Sequence, residues 1–299
     1  MSKRGERGAV MYKSLAEICE IEKREGIPFW KIVQQADCVE TGTQETEAFG
    51  KMRVMYQAMK EADDSYDGEL KSASGLVGGE GKKMQEAREA GMTVSGRLMG
   101  KVMEKALKTG ESNACMKRIV AAPTAGSCGV VPAVFITLEE EKHFTEEKMI
   151  EAMYIAAGVG QVIANRAFLA GAAGGCQAEI GSGSAMAAAA ITYLKGGDIY
   201  QIGHAAAMAL KNLMGLVCDP VAGLVEVPCV KRNVGGAVNA LAAADMALAG
   251  IISQIPVDQV IDAMKEVGEK MDSSLRETGI GGVAGSPAGV KVAQDLFGV

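Results

Sequence analysis

Aromatic side chains are scarce in this chain of 299 residues, which has one Trp, six Tyr and six Phe, or 4% of the sequence. Because 48% of the residues are nevertheless hydrophobic, including 18 Met, the core must consist mainly of Ala, Val, Ile, Leu and Met. Small side chains let helices approach closely, and Ala and Met form helices readily, so the composition predicts a mainly α-helical protein. Histidine is also nearly absent, and two histidines exclude a histidine-rich metal site.

Basic residues do not outnumber acidic ones either. The chain has 31 Lys and Arg against 37 Asp and Glu, a net charge of −6, which argues against nucleic-acid binding. Its first twenty residues contain no apolar core of a secretory signal. The longest uncharged stretch, residues 119–138, contains two prolines and two glycines and is too broken for a membrane helix. We therefore expect a soluble, cytoplasmic protein that binds neither nucleic acid nor membranes.

The cysteine pattern lacks the features of a disulfide framework. Seven is an odd number, the sequence has no export signal, and no two cysteines form a CxxC pair. Cys19 and Cys38 lie in charged helical surroundings, and Cys115 precedes a basic pair in a predicted helix. These three are interpreted as inert thiols, because a free cysteine commonly behaves as a small hydrophobic residue.

Three further cysteines lie in or beside irregular segments: Cys176 in GGCQAE, Cys218 in VCDPVAG and Cys229 in VPCVKRN. Amides exposed in such turns donate hydrogen bonds to thiolate sulfurs and help to carry their charge. Three thiolates suit an iron–sulfur cluster with one open iron, whereas zinc needs a fourth ligand that the sequence does not reveal. Buried, inert thiols are the alternative interpretation.

Helical patterns account for most of the chain. Thr145, Asp198 and Asp258 are predicted to cap helices, because each precedes an apolar stripe of helical period. A long central stretch without proline permits uninterrupted helices. We predict a loose N-terminal tail over residues 1–8 and a single helical domain over residues 9–299.

Glycine-rich segments interrupt these helices. They contain too many small and apolar residues for ordinary surface loops, and we expect them to line something buried. Their glycine spacing fits neither a P-loop nor a dinucleotide fingerprint, and no lysine is identified as a Schiff-base residue for pyridoxal phosphate. The segments are SASGLVGG, PTAGSCG, GAAGGCQAEIGSGS, CDPVAGLVEVPC and ETGIGGVAGSPAG.

Four long motifs carry a family resemblance: APTAGSCGVVPAVF, GGCQAEIGSGSAMAAAA, HAAAMALKNLMGLVCDPVAGLVEVPCVKRN and RETGIGGVAGSPAG. They resemble the α chain of bacterial iron–sulfur-dependent L-serine dehydratase, and the length resembles its two-chain form. The resemblance covers nearly the whole chain, from YKSLAEICE to GVKVAQDLFG. It implies a mainly helical catalytic domain with glycine-rich loops around a buried [4Fe-4S] cluster, without pyridoxal phosphate. The implied cluster ligands are Cys176, Cys218 and Cys229.

The resemblance also implies that L-serine is converted to pyruvate and ammonia, with an open iron acting as a Lewis acid on the substrate. Backbone and hydroxyl donors in the PTAGSCG loop suit the substrate carboxylate. The SASG segment is expected to line the other side of the substrate pocket. A buried turn with ordinary Ser and Thr side chains is the alternative. The predicted substrate-binding residues are Thr124, Ala125, Gly126, Ser127, Ser72 and Ser74.

No catalytic base is evident in this chain. The resemblance places a serine- and histidine-containing substrate loop on a separate β chain, so we expect a hetero-oligomer whose base is on the partner. His143 lies in a charged run. His204 is interpreted as a half-buried helical residue, and it is the one weak candidate for a catalytic base in this chain. The alternatives are an L-cysteine desulfidase on the same α domain and a non-catalytic helical protein that holds a cluster or zinc.

Overall fold

A computed structural model describes residues 12–298, where the chain folds into α-helices, short 3-10 helices and one π-helical segment. No β-strand occurs within this range, so the prediction of a mainly helical, single-domain protein is confirmed. The predicted tail over residues 1–8 lies outside the described residues. The helices are α1 (Leu15–Glu25), α2 (Phe29–Thr41), α3 (Glu45–Asp64), α4 (Glu80–Glu89), α5 (Gly96–Ala114), α6 (Val130–Lys142), α7 (Glu146–Arg166), α8 (Gly171–Gly174), α9 (Ser182–Leu194), α10 (Ile199–Asn212), α11 (Cys229–Leu248), α12 (Val257–Lys270) and α13 (Pro287–Phe297).

Helix α9 forms the centre of the fold. It packs against α6, α7, α10 and α11, and every one of its residues except Tyr193 is buried. Its sequence, SGSAMAAAAITYL, consists mainly of side chains small enough to let four neighbouring helices approach it. The core of this aromatic-poor protein is therefore built by close helix contact, as its composition predicts.

Two glycines on α7 show how closely the helices approach. A Cβ atom at Gly158 would lie 2.5 Å from a methyl of Val33 on α2, and one at Gly160 would lie 3.0 Å from Sδ of Met186 on α9. Neither position has room for a side chain without movement of its neighbour. Helix α7 therefore lies directly between α2 and α9.

Two of the three predicted helix caps are confirmed. The Thr145 hydroxyl accepts a hydrogen bond from the Lys148 amide at 3.3 Å at the start of α7. At the start of α10, the Asp198 carboxylate accepts from the Gln201 amide at 2.8 Å, and the Gln201 side chain accepts from the Asp198 amide at 3.0 Å. Both bonds use amides that a helix N-terminus leaves without internal partners.

The prediction that Asp258 caps its own helix is wrong. Helix α12 begins at Val257, after Pro256, so that Asp258 lies inside its first turn. The Asp258 carboxylate instead accepts hydrogen bonds from the amides of Leu15 at 2.9 Å and Ala16 at 3.0 Å. It therefore stabilises the start of α1, more than 240 residues away, because those amides also need partners.

Among residues 12–298, no helix is both long enough and apolar enough to cross a membrane.

Candidate metal centre

Two of the predicted cysteine ligands lie together in the fold. Cys176 sits between α8 and the π-helical segment Gln177–Gly181, and Cys218 lies in an extended segment that forms an isolated parallel bridge with Arg276. The Sγ atoms of Cys176 and Cys218 and a carboxylate oxygen of Glu179 all lie within 4.8 Å of one another. Groups of this kind, close together and largely buried, can hold a metal ion.

The backbone of Cys218 is held by a distant part of the chain. Its amide donates to the carbonyl of Leu275 at 2.8 Å, and its carbonyl accepts from the amide of Glu277 at 2.7 Å. These two bonds form the bridge and fix the direction of the Cys218 side chain. The position of this thiol therefore depends on the segment that follows α12.

The third predicted ligand, Cys229, is the first residue of α11 and is buried. Its sulfur does not belong to the group that lies within 4.8 Å. Burial, followed by the charge of Cys176, raises the pKa of the Cys229 thiol to about 12, while Arg232 acts in the opposite direction. The three thiols therefore share one buried region, with Cys229 at its edge.

The thiols of Cys176 and Cys218 have opposite acidities. The hydrogen bond with Cys218 lowers the pKa of Cys176, and Arg232 lowers it further, against the effect of burial. The same hydrogen bond raises the pKa of Cys218, and burial adds to this increase. Cys176 is therefore the more acidic thiol of the pair.

Arg232 is the cation of the site, and the sequence-based prediction did not include it. Its guanidinium donates to the carbonyl of Val217 at 2.8 Å and lies 2.8 Å from Oδ1 of Asp219. Burial alone would lower the pKa of Arg232, but the negative charges of Cys176 and Asp219 raise it. Arg232 thus contacts the residues on either side of Cys218 in the sequence and brings positive charge close to Cys176.

Glu179 is the second residue that the sequence-based prediction missed. Burial raises the pKa of its carboxyl, the nearby Glu277 adds to the increase, and the Thr124 hydroxyl and the Gly171 amide act in the opposite direction. A Cβ atom at Gly126 would lie 3.0 Å from Oε2 of Glu179. The carboxyl group therefore lies between the cysteines and the loop predicted to bind substrate.

The loop is anchored by Asn233, four residues after Cys229. Oδ1 of this buried side chain accepts from the Gly129 amide at 2.8 Å, and Nδ2 donates to the Gly126 carbonyl at 2.9 Å and to the Cys229 carbonyl at 3.0 Å. One side chain thus satisfies backbone groups of the loop and of the first turn of α11. The loop and the third cysteine are held in a fixed relation.

The predicted substrate-binding residues of this loop differ in exposure. The Ser127 side chain is fully buried, and its hydroxyl lies 3.0 Å from that of Thr124, to which it is hydrogen-bonded. Thr124 is half-buried, Gly126 has intermediate exposure and Ala125 is exposed. The Ser127 hydroxyl is therefore positioned to orient Thr124, whose own hydroxyl faces Glu179.

The SASG segment also reaches this region. The hydroxyls of Ser72 and Ser74 both donate to Oε2 of Glu226, at 2.7 Å and 2.5 Å, and Ser72 is buried. Glu226 precedes Cys229 by three residues. The structure thus brings Ser72 and Ser74 to the segment that carries the third cysteine, although their hydroxyls are engaged by that carboxylate.

All five glycine-rich segments therefore meet around the cysteines. The fifth, ETGIGGVAGSPAG, contributes the amide of Val283, which donates to Oδ2 of Asp219 at 2.8 Å. A Cβ atom at Gly171 would lie 2.7 Å from Sγ of Cys218 and 2.8 Å from Oε2 of Glu179, so only glycine leaves this space free. The site offers three buried thiols that form no disulfide, a nearby arginine, and glycines that leave space beside the sulfur atoms. These features fit an iron–sulfur cluster, for which cysteine thiolates are the usual ligands.

The remaining cysteines lie outside this group. Cys128 is fully buried in the loop, but its thiol lies 3.8 Å from the Thr109 carbonyl, and burial raises its pKa to about 12. Cys19 and Cys38 are half-buried on α1 and α2. The prediction that Cys115 lies in a helix is wrong, because α5 ends at Ala114 and Cys115 follows it as the capping residue.

Neither histidine lies among these residues. His143 is exposed and ends α6 in a left-handed conformation with φ of 55°. His204 is half-buried on α10 and lines a separate cavity of about 250 Å³, together with residues of α1, α2 and α12. The thiols of the candidate metal centre do not line that cavity.

Fold and site together define a helical protein with a thiol-rich candidate metal centre. The family model described as serine dehydratase alpha chain matches residues 24–284. This chain therefore belongs to the serine dehydratase α-chain family.

Relatives of this chain differ in length. A probable L-serine dehydratase α chain of Bacillus subtilis strain 168 is 46% identical over 288 residues, which cover 96% of each chain. The L-serine dehydratase α chain of Peptoniphilus asaccharolyticus is 41% identical over 292 residues, covering 96% of this chain and 99% of the relative. An L-serine dehydratase of Escherichia coli strain K12 is 42% identical over 181 residues, which span 60% of this chain but only 40% of that protein.

Proposed function

We propose that this chain is the α subunit of an iron–sulfur-dependent L-serine dehydratase, a lyase that works without pyridoxal phosphate. The observation that carries the proposal is the meeting of Cys176, Cys218 and Glu179 within 4.8 Å, in a chain that matches serine dehydratase α chains along almost its whole length. Cys229 lies at the edge of the same buried region and would complete a set of three thiolate ligands.

The proposed reaction removes the Cα proton and the β-hydroxyl of L-serine as water. The aminoacrylate that forms takes up water and releases ammonia, which leaves pyruvate. When bound, a [4Fe-4S] cluster with a free coordination position supplies a Lewis acid for a hydroxide leaving group, which is otherwise a poor one.

The chain's own residues then bind the substrate and exclude water. The Thr124 hydroxyl and Gly126 face Glu179. We expect this hydroxyl, together with the backbone amides of Ala125 and Gly126, to donate to a substrate carboxylate. Buried Ser127 holds Thr124 in place through the bond between their hydroxyls. Such fixed donors in a poorly hydrated site stabilise charge that develops during the reaction.

The base that takes the Cα proton is proposed to come from a β chain. Among residues 12–298, neither histidine lies with the thiols, and His204 lines another cavity. The match of this chain to a longer dehydratase over only 40% of that protein supports a division of the activity between two chains. The expected assembly is a hetero-oligomer.

The test is anaerobic reconstitution of this chain with iron and sulfide, alone and with its β chain, followed by measurement of pyruvate from L-serine and from L-cysteine. We expect about four iron atoms per chain, little pyruvate from the α chain alone, and rapid release from serine once the β chain is added. Preference for cysteine would identify a desulfidase. Bound zinc without iron, or no turnover by the pair, would refute the proposal.

A matched pair of variants tests the ligands. Cys218→Ser should abolish iron binding, because two thiolates cannot hold the cluster. Cys128→Ser changes an equally buried thiol that lies outside the group and should retain iron. Full iron retention by Cys218→Ser would contradict the assignment.

A further inference from the structure

One acidic side chain, that of Glu179, lies at the centre of the site. Glu179 is largely buried, and a carboxylate oxygen lies within 4.8 Å of the sulfurs of both Cys176 and Cys218. None of the ion pairs in the described part of the chain includes it, and Arg232, the nearby cation, pairs with Asp219 instead. A buried carboxylate without a cationic partner is costly unless it binds a metal or is protonated.

The local backbone directs Glu179 towards the thiols. Cys176 and Glu179 are three residues apart, and the segment Gln177–Gly181 that joins them is π-helical. Segments of this kind are rare and occur frequently at functional sites. The closeness of their ligand atoms to Sγ of Cys218 shows that both side chains face that thiol.

We propose that Glu179 is the resting fourth ligand of the cluster, and that it occupies the iron position that substrate takes. This inference rests on the proposed function. Carboxylate oxygen is an established iron ligand in proteins, and it binds less strongly to such clusters than thiolate does, so an incoming substrate can displace it.

The surroundings of Glu179 provide a place for the displaced carboxylate. The Thr124 hydroxyl and the Gly171 amide face it, and the Gly126 backbone borders it without a side chain. Entry of serine would transfer Glu179 from the iron to these donors. Because Thr124 belongs to the substrate loop, the same movement would couple substrate binding to the position of that loop.

The test compares four anaerobically reconstituted α chains, each with its β chain: wild type, Glu179→Gln, Glu179→Cys and Glu277→Gln. Glu277 is a matched control, because its exposed carboxylate acts on Glu179 and Cys218 from a distance but lies outside the 4.8 Å group. The readouts are iron per chain and the electron paramagnetic resonance spectrum during exposure to air. Loss of one Fe(II), with one electron passing to dioxygen, converts the cluster to a paramagnetic three-iron form.

All four proteins should hold the same iron before exposure, since three thiolates suffice. Glu179→Gln should then lose its fourth iron about tenfold faster than wild type, a loss typical of a weakened metal environment. Glu179→Cys should lose it more slowly than wild type, and serine should no longer change the spectrum of its reduced cluster. Glu277→Gln should behave as wild type does.

Equal rates for Glu179→Gln and wild type, or a Glu179→Cys cluster that still responds to serine, would overturn the inference. Lower iron in Glu179→Gln before exposure would also overturn it, because the residue would then be needed for assembly rather than as an exchangeable ligand. The wild-type sample separates this inference from the function on which it rests. If wild type binds no cluster or produces no pyruvate, the proposed function fails first.

Discussion

Replacement of Asn233 by alanine should destabilise the protein much more than the loss of one small side chain suggests. The substitution removes the partners of the Gly129 amide and the Gly126 carbonyl, with bonds of 2.8 Å and 2.9 Å. Leaving a buried polar group without a partner costs about 1–3 kcal/mol. Two such groups cost about 2–6 kcal/mol, which the better helix propensity of alanine offsets by about 0.5 kcal/mol.

The assay is urea unfolding of the apo chain, followed by far-ultraviolet circular dichroism. With a slope of about 3 kcal/mol per molar urea, the midpoint should fall by about 0.5–1.8 M. Asn113→Ala is the matched control, because Asn113 also donates to the loop, to the Ala125 carbonyl at 3.3 Å, but in an exposed position where water can replace it. Its midpoint should change by about 0.2 M or less.

Asn233→Asp refines the test, because an aspartate keeps the acceptor for the Gly129 amide and loses the donor to Gly126. It should still destabilise the chain, since a charge is then buried beside a carbonyl oxygen. If Asn233→Ala unfolds at the same urea concentration as Asn113→Ala, the view that this side chain holds the loop onto α11 is refuted.

The other predictions concern single substitutions around the site. Gly171→Ala should lower the iron content per chain, because its Cβ atom would lie 2.7 Å from Sγ of Cys218. The added Cβ atom of Gly235→Ala would have no atom within 4 Å, so this control should bind iron normally. Equal iron in both variants would contradict the view that Gly171 leaves space beside the thiol. Ser127→Ala should retain the cluster but lower kcat/KM for serine. The expected loss of transition-state stabilisation is about 2–4 kcal/mol, as for a lost hydrogen-bond donor. Unchanged kinetics would leave Ser127 as a turn residue. His204→Ala should change turnover little in the complex with the β chain, since His204 lines a separate cavity; a loss of more than about 100-fold would identify it as the base.

Composition and local pattern were sufficient to predict the helical class and two helix caps. Small side chains identified a closely packed α protein, and the caps at Thr145 and Asp198 depend on bonds to amides only three residues away. Asp258 has the same local pattern, but its carboxylate binds the start of α1. A pattern within one segment cannot reveal that a distant helix competes for the same side chain.

The candidate site was predictable only in part, because local patterns reveal the cysteines but not the side chains that the fold brings to them. Cys176, Cys218 and Cys229 were identified from the irregular segments around them, which the fold does bring to one region. Glu179 and Arg232 were missed, because a charged residue near a cysteine is common, and only the tertiary contacts distinguish these two. Helical spacing from the cysteines was the available signal, since each lies three residues from one of them.

The bridge between Cys218 and the segment after α12 has a consequence for biosynthesis. The amide of Cys218 donates to the Leu275 carbonyl, and Asp219 accepts from the amide of Val283, so the second thiol is fixed only when the segment after α12 is in place. A nascent chain therefore cannot fix this thiol before residues 275–283 have left the ribosome. The proposed cluster is therefore expected to assemble only after this segment has folded, and a chain truncated before residue 275 should not position Cys218 for it.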